Sequence, residues 1–166
     1  MLDVEEYFHL ALHASSVGDP HACLTYLRQV LQQEPKNSGA MYLLATVHAE
    51  LGLVDRAIRG FESVLAVNPR LAIARLQLAM LLLLFDSKRR AEAKTHLLYV
   101  TAARDEALQT YAEALIAFAY DDIPRAVEKL ELATSTTADD TQFSSLMKHL
   151  LEHLRTERLE TEAGAR

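Results

Sequence analysis

The sequence predicts an all-α fold built from repeated helical hairpins, and three observations lead to this prediction. Glycine and proline are scarce, with five and four copies in 166 residues, whereas half of the residues are hydrophobic. This composition favours helices and leaves little material for the turns of a β-fold. The second observation is a sequence repeat of 34 residues. The third is a set of helix-end signals that divide the chain at similar intervals.

The 34-residue period recurs at several kinds of position, which is the signature of a repeat architecture. These positions are Pro35 and Pro69, Gly18 and Gly52, the Leu-Ala pairs at Leu10, Leu44 and Leu78, and the small residues Cys23, Ala57 and Ala91, with Ala126 following 35 residues later. We interpret each unit as a helical hairpin whose small residue lets the two helices approach closely. A bulky apolar residue follows four positions later at Leu27, Phe61 and Leu130, and Thr95 is the exception.

These residues resemble the tetratricopeptide repeat, a pattern of an aromatic residue, Leu-Gly and Tyr, followed by Ala, Phe, Ala and Pro. The resemblance covers residues 1–139, in units of about 4–37, 38–71, 72–105 and 107–139. The third unit keeps Ala91 and Leu98 but has Asp86 and Ala103 where the pattern has glycine and proline. The resemblance implies a right-handed α-solenoid of about four hairpins.

Helix-end signals support this division and predict one further helix. Asp3 with Glu6 has the spacing of a capping box, and Asp19 precedes Pro20 at the start of a second helix. Asp139 with Gln142 predicts the start of a C-terminal helix over residues 140–160, which we expect to cap the last hairpin. Its apolar face would consist of Phe143, Leu146, Met147, Leu150, Leu151 and Leu154. Residues 161–166 are polar and are expected to fray.

The resemblance also implies where a partner would bind, because the first helix of each tetratricopeptide hairpin lines the concave side. The residues at those positions are mostly apolar: Phe8, Leu12, Tyr42, Thr46, Ile73, Leu76, Met80, Leu83, Tyr111, Leu115 and Phe118. An apolar groove suits a peptide or partner protein with an apolar segment, or a second copy of the chain. The alternative is that these residues are buried, by a tight superhelix or by the C-terminal helix folding into the groove. Residues 71–85 are hydrophobic nearly all round, which is typical of a buried helix.

One mode of recognition is not expected. Tetratricopeptide proteins that bind chaperone tails hold a terminal carboxylate with lysine, arginine and asparagine side chains. The corresponding positions here are Phe8, Leu12, Leu43, Ile73 and Gln77. None is cationic, so a buried carboxylate would lose its hydration without compensation. We therefore expect no binding of such tails.

The leading functional hypothesis is a protein-interaction adaptor or scaffold that binds a peptide or partner protein in this groove. Two alternatives remain open. The chain is similar in size and acidity to the small tetratricopeptide chaperones that hold hydrophobic segments of secreted client proteins. It could also be a self-assembling structural protein, since the ends of a solenoid invite homo-oligomers. No cofactor is expected.

Composition argues against several other partners. The net charge of -6 makes nucleic acid a poor partner, because binding to phosphates requires clustered lysine and arginine. The most apolar stretch, Leu71 to Phe85, contains Arg75 and Gln77 and is too short for membrane insertion. The single cysteine, Cys23, cannot form an internal disulfide, and the N-terminal residues are acidic. A cytoplasmic protein is expected.

No pattern indicates an enzyme. Residues 149–153 read His-Leu-Leu-Glu-His, which is the H-x-x-E-H order of some zinc peptidases, but the remaining chain offers no third ligand, so we interpret them as a polar helix edge. His9 and His13 form a second pair without a Glu or Cys at ligand spacing. Cys23 is interpreted as a small buried residue. A cationic cluster at Lys88, Arg89, Arg90 and Lys94 is interpreted as a solvated face, with docking of an acidic segment as the alternative.

Overall fold

The structure is a computed structural model that describes residues 1–136 and 142–165. For residues 142–146 the helical backbone is described without the side chains, so the predicted apolar positions Phe143 and Leu146 lie outside the described side chains, as does the predicted cap at Asp139. All regular structure in the described residues is helical, which confirms the predicted all-α class. The chain divides into two compact units, Met1–Ala74 and Arg75–Arg166.

The first unit contains two helical hairpins. Their helices are α1 (Val4–Ser16), α2 (Pro20–Gln33), α3 (Ser38–Glu50) and α4 (Val54–Val67). Helices α1 and α2 pack together over Ala11, Ala14, Cys23, Leu27 and Val30, which are all buried. Helices α3 and α4 cross at Gly60, where an added Cβ would lie 2.8 Å from the Cβ of Ala45. A larger residue would therefore push these helices apart, which explains why glycine occupies the middle of α4 despite its poor helix propensity.

The second unit begins within α5 (Ala72–Phe85) and continues through α6 (Arg90–Thr101), α7 (Glu106–Ala119), α8 (Ile123–Thr136) and α9 (Gln142–Gly164). A 3-10 turn over Ser87–Arg89 precedes α6. Helix α7 packs against α6 and α8, and α9 packs against α8. The described part of α9 buries Met147, Leu150, Leu151 and Leu154, which are four of the six residues predicted for its apolar face.

The alignment of α6 differs from the sequence prediction by two residues. Ala93 and Leu97 are buried, whereas Ala91 and Leu98 are exposed, so the placement of Ala91 at the point of closest helix crossing was wrong. The buried pair has the same four-residue spacing as Cys23 with Leu27 and Ala57 with Phe61, and Thr95 is no longer an exception. The cause lies in the preceding turn, where the 3-10 segment Ser87–Arg89 replaces the short glycine turn of the first two hairpins.

The helix ends follow the predicted signals. The side chain of Asp3 accepts a hydrogen bond from the N–H of Glu6, and the side chain of Glu6 accepts one from the N–H of Asp3, which completes the capping box. Asp19 accepts from the N–H of Ala22 at 3.0 Å. Gly18 and Gly52 have φ near +73° and +72° in the turns within the first two hairpins, a conformation that glycine adopts without strain. Throughout the described segments, no helix has the length and apolar character needed to cross a bilayer.

Candidate functional site

In the first unit, three of the predicted binding residues are accessible. Phe8 on α1 is half-buried and packs its ring against Gly39 on α3, since a Cβ added to Gly39 would lie 3.1 Å from the Phe8 Cζ atom. Leu12 lies one helical turn further along α1 and is 42% exposed. Tyr42 on α3 is half-buried, and its ring lies 5.9 Å from the ring of Phe61. We call Phe8, Leu12, Gly39 and Tyr42 the α1–α3 face.

Two further predicted binding residues of the first unit, Thr46 and Ile73, are not part of the α1–α3 face. Thr46 is buried, and its hydroxyl donates a hydrogen bond to the carbonyl oxygen of Tyr42 at 3.0 Å. Burial raises the pKa of the Tyr42 hydroxyl to about 12, and a hydrogen bond with Thr46 acts in the opposite direction. The phenol is therefore neutral at physiological pH. Ile73, at the start of α5, is half-buried.

In the second unit, most of the predicted binding residues are in the core. Leu76, Met80, Leu83, Tyr111 and Leu115 are at most 7% exposed. These side chains have almost no free surface in this structure, and the expectation that they contact a partner stays a prediction. Burial, the alternative considered for these positions, applies to them. Phe118 on α7 is the one predicted residue of this unit that is partly exposed.

A polar network joins α5 and α6 in the second unit. An Nη atom of Arg75 lies 3.1 Å from Nδ1 of His96, and the Arg75 guanidinium stacks 4.2 Å from the centre of the Tyr99 ring. His96 also lies 3.7 Å from Glu92, which is paired with Arg89. The guanidinium can only donate, so His96 must accept at Nδ1 and is therefore neutral in this arrangement.

We expect this histidine to make the stability of the protein depend on pH. Burial and then the charge of Arg75 lower the pKa of His96 below its usual value, and Glu92 acts in the opposite direction. Burial and then Arg56 lower the pKa of His48 in the same way. Since the unfolded chain binds these protons more readily, the stabilisation is complete above the unfolded pKa of about 6.5. It is lost as the pH falls below that value.

Urea unfolding followed by circular dichroism between pH 7.5 and 5.5 tests this expectation. The free energy of unfolding should fall with pH in the wild type and fall less steeply in a His48→Gln, His96→Gln double variant. The exposed pair His9→Gln, His21→Gln provides the control and should keep the wild-type slope. Burial raises the pKa of Glu50, which works in the opposite direction, but this contribution cancels when variants are compared at each pH. Identical slopes for all three proteins would contradict the assignment.

The cationic cluster before and within α6 is largely engaged within the chain. Arg89 pairs with Glu92, Arg90 lies 3.7 Å from Asp121, and the ammonium group of Lys94 stacks 3.8 Å from the centre of the Tyr120 ring. Lys88 is exposed. Because three of the four cations already have partners, the cluster offers little free positive charge to an acidic segment.

The residues considered for metal binding do not form a site in the described chain. His149 and His153 are exposed, and the carboxylate of Glu152 accepts a hydrogen bond from Arg155 at 2.7 Å. His9 lies 3.9 Å from Glu5 on the surface of α1. Across residues 1–136 and 142–165, no three His, Cys, Asp or Glu side chains are grouped closely enough to hold a metal ion.

Sequence reasoning missed one cleft in the first unit. A cleft of about 390 Å³ lies between α2, α3 and the start of α4, and it is lined by Leu24, Arg28, Leu31, Gln32, Leu44, His48 and Arg56. The three leucines are only partly buried. The available signal was the seven-residue spacing of Leu24 and Leu31, which places these two leucines on one face of α2. We call this the α2–α3 cleft.

Comparisons with known proteins agree with the helical-hairpin fold. Residues 16–80 match the family model described as the tetratricopeptide repeat. A search of curated protein sequences finds no match.

Several solved structures share the fold. MamA from Desulfovibrio magneticus RS-1 is 21% identical with a TM-score of 0.63, over 97% of this chain and 96% of that chain. A tetratricopeptide repeat protein from Parabacteroides merdae is 14% identical with a TM-score of 0.66, over 96% and 62%. An O-GlcNAc transferase from Thermobaculum terrenum is 21% identical with a TM-score of 0.65, but this chain corresponds to only 26% of that protein. At these identities the likeness concerns the fold, and it carries no catalytic activity over to this chain.

Proposed function

We propose that this chain, whose residues 16–80 match the tetratricopeptide repeat, is a protein-interaction scaffold that binds a polypeptide segment on the α1–α3 face of its first unit. The observation that carries this proposal is the exposure of Leu12, one helical turn after the half-buried ring of Phe8, which packs on Gly39 of α3 one turn before the half-buried Tyr42. An exposed aliphatic side chain next to aromatic rings is the composition found at the centre of protein interfaces. The burial of the corresponding residues in the second unit concentrates the binding surface in the first.

The geometry of the face suits an apolar anchor. Gly39 has no side chain, so the ring of Phe8 lies directly on the backbone of α3. Tyr42 is fixed by its contact with Phe61, so its ring is held in place before a partner binds. These side chains are held on two helices that already pack in the same unit, so little conformational entropy would be lost when a partner binds.

The scaffold does not depend on a terminal carboxylate. The clamp positions of the first unit hold Phe8, Leu12, Leu43 and Ile73, and none of them carries a charge. A fluorescence titration with a Glu-Glu-Val-Asp peptide should therefore show no saturable binding at micromolar concentration.

Substitution of Leu12 tests the proposed face. The native partner would be captured from a lysate, identified by mass spectrometry, purified, and titrated against each variant by calorimetry. Leu12→Glu should weaken binding at least tenfold, or about 1.4 kcal/mol, because a carboxylate would replace the apolar contact. Val67→Glu is the control, since Val67 lies at the end of α4 in the same unit and is 40% exposed. Unchanged affinity for Leu12→Glu would contradict the proposal.

The two alternative functions predict different behaviour. A self-assembling protein would increase in mass with concentration when gel filtration is coupled to light scattering, and Leu12→Glu would reduce that mass if the α1–α3 face joins the copies. A chaperone would keep an otherwise insoluble client in solution as a defined complex. A scaffold predicts a monomer at all concentrations and a partner that is soluble by itself.

A further inference from the structure

The α2–α3 cleft lies on a different side of the first unit from the α1–α3 face. On helix α3, the cleft residue Leu44 lies two positions after Tyr42, and the cleft residue His48 lies two positions after Thr46. Two positions correspond to a rotation of about 200° around a helix, so the two pairs are on opposite sides of α3. A ligand in the cleft therefore would not compete directly with a ligand on the α1–α3 face.

The cleft combines an apolar floor with a cationic rim. Leu24 and Leu31 on α2, and Leu44 on α3, are partly buried against the core and provide the floor. Leu24 and Leu31 are separated by two helical turns, so the apolar strip is roughly 10 Å long. That length accommodates successive apolar residues of a docked helix at i, i+3, i+4 and i+7.

The rim carries two arginines whose charges are not neutralised by ion pairs in the part of the chain that the structure describes. Arg28 and Arg56 are exposed, and neither forms an ion pair with a carboxylate in the described segments. No carboxylate of the described residues lines the cleft, although the protein as a whole carries a net charge of -6. A local excess of positive charge attracts an anionic partner, and like-charge repulsion disfavours pairing of two copies of the chain through the same cleft.

We propose that the α2–α3 cleft is a second docking surface, whose partner is an acidic amphipathic helix with apolar side chains on the leucine floor and carboxylates beside Arg28 and Arg56. Guanidinium groups bind carboxylates through two parallel hydrogen bonds, which would fix the position of the helix along the cleft. Leucine contacts supply the apolar part of the affinity, and the arginines select acidic sequences over basic ones. This site goes beyond the proposed binding on the α1–α3 face and does not depend on it.

Fluorescence anisotropy with the full chain tests the proposal. The probe is a fluorescein-labelled 14-residue helical peptide with leucines along one face and glutamates on both flanks. One comparison peptide has lysine in place of each glutamate, and another has serine in place of each leucine. The glutamate–leucine peptide should bind saturably, and both comparison peptides should bind at least tenfold more weakly. Raising the salt concentration from 50 to 300 mM should weaken the specific complex, because its ion pairs are exposed to solvent.

Charge reversal locates the site. The double variant Arg28→Glu, Arg56→Glu should weaken binding of the glutamate–leucine peptide at least tenfold. The control Lys36→Glu, Arg70→Glu makes the same change in net charge within the first unit but alters residues outside the cleft, and should stay within threefold of the wild type. Arg28→Gln, Arg56→Gln should give an intermediate loss, and circular dichroism would establish that each variant is folded.

The pH dependence of peptide binding provides a second test, because His48 would change it by binding a proton and a purely structural role would not. His48 lines the cleft together with Arg28 of α2 and Arg56 of α4, and among the described residues no acidic side chain shares this lining. Carboxylates of a docked helix would favour its protonated form, so binding should take up a proton and tighten as the pH falls from 7.5 to 6. His48→Gln should flatten this dependence.

Several results would overturn the proposal. These are the absence of saturable binding, equal affinity for the lysine peptide, an equal loss in the control charge variant, and a pH dependence unaffected by His48→Gln. Co-sedimentation with phosphatidylserine vesicles that requires Arg28 and Arg56, without peptide binding, would identify an anionic lipid surface instead. Loss of peptide binding in Leu12→Glu would place the peptide on the α1–α3 face. Unchanged affinity of the captured partner for Leu12→Glu would contradict only the α1–α3 face and would leave peptide binding in the cleft unaffected. The two proposals can therefore fail separately.

Discussion

Replacement of Phe61 by alanine is expected to lower the free energy of unfolding by about 3–5 kcal/mol, which is the usual cost of removing a fully buried phenylalanine. Phe61 is completely buried in α4 and occupies the bulky position four residues after Ala57. Its ring also contacts the ring of Tyr42, so the substitution removes an aromatic contact as well as apolar surface. Urea denaturation followed by far-ultraviolet circular dichroism measures the loss.

The matched control is Phe85→Ala. Phe85 is the last residue of α5 and is 62% exposed, so its truncation removes little packing. Its effect should remain within about 0.5 kcal/mol, as for most surface substitutions. A similar loss in the free energy of unfolding for Phe61→Ala and Phe85→Ala would contradict the prediction that burial makes the truncation of Phe61 costly. Because Tyr42 belongs to the α1–α3 face, Phe61→Ala should also weaken partner binding even under conditions where the protein stays folded.

The second large effect is expected at Leu97. Leu97 is fully buried in α6, four residues after the buried Ala93. Truncation to alanine should cost about 2–5 kcal/mol, the range for buried leucines, with the value set by how far the surrounding helices relax into the cavity. The same denaturation measurement detects this loss, and the α6–α7 packing makes the second unit the region affected.

The adjacent residue provides an unusually close control. Leu98 is 64% exposed, so Leu98→Ala should change the free energy of unfolding by about 0.5 kcal/mol or less. The strict 34-residue period predicts the reverse order, with Leu98 in the interface. A larger loss for Leu98→Ala than for Leu97→Ala would therefore restore the period-based alignment of α6 and contradict the structure.

Leu97 and Leu98 show which features of the fold can be predicted from the sequence and which cannot. Helical class and the capping box at Asp3 followed from composition and local hydrogen-bonding chemistry, which act over a few residues. The alignment of α6 did not, because alanine occurs at both Ala91 and Ala93 and leucine at both Leu97 and Leu98. Choosing between them requires the length of the preceding turn, and that turn has no glycine to mark its end.

The candidate site was predictable only in part, for a different reason. A leucine on a binding face and a leucine in a core give the same apolar pattern, since periodicity reports which residues share a helix face and not what covers that face. Leu12 is exposed and Leu76 is buried, although both were assigned to the same surface. The α2–α3 cleft was missed because its residues come from three helices, and their proximity exists only after folding.

Because Cys23 is buried, the rate at which its thiol is chemically modified reports local opening of the protein. It is the single cysteine of the chain, it is fully buried between α1 and α2, and burial, followed by Glu50 and Asp19, raises the pKa of its thiol to about 11. Thiol reagents react with the thiolate, so the native state is protected twice, by steric exclusion and by protonation. The rate of modification at pH 8 therefore follows the frequency with which the first hairpin opens. A partner that binds the α1–α3 face or the α2–α3 cleft and stabilises this hairpin would slow the modification. Its binding could therefore be followed without an added label.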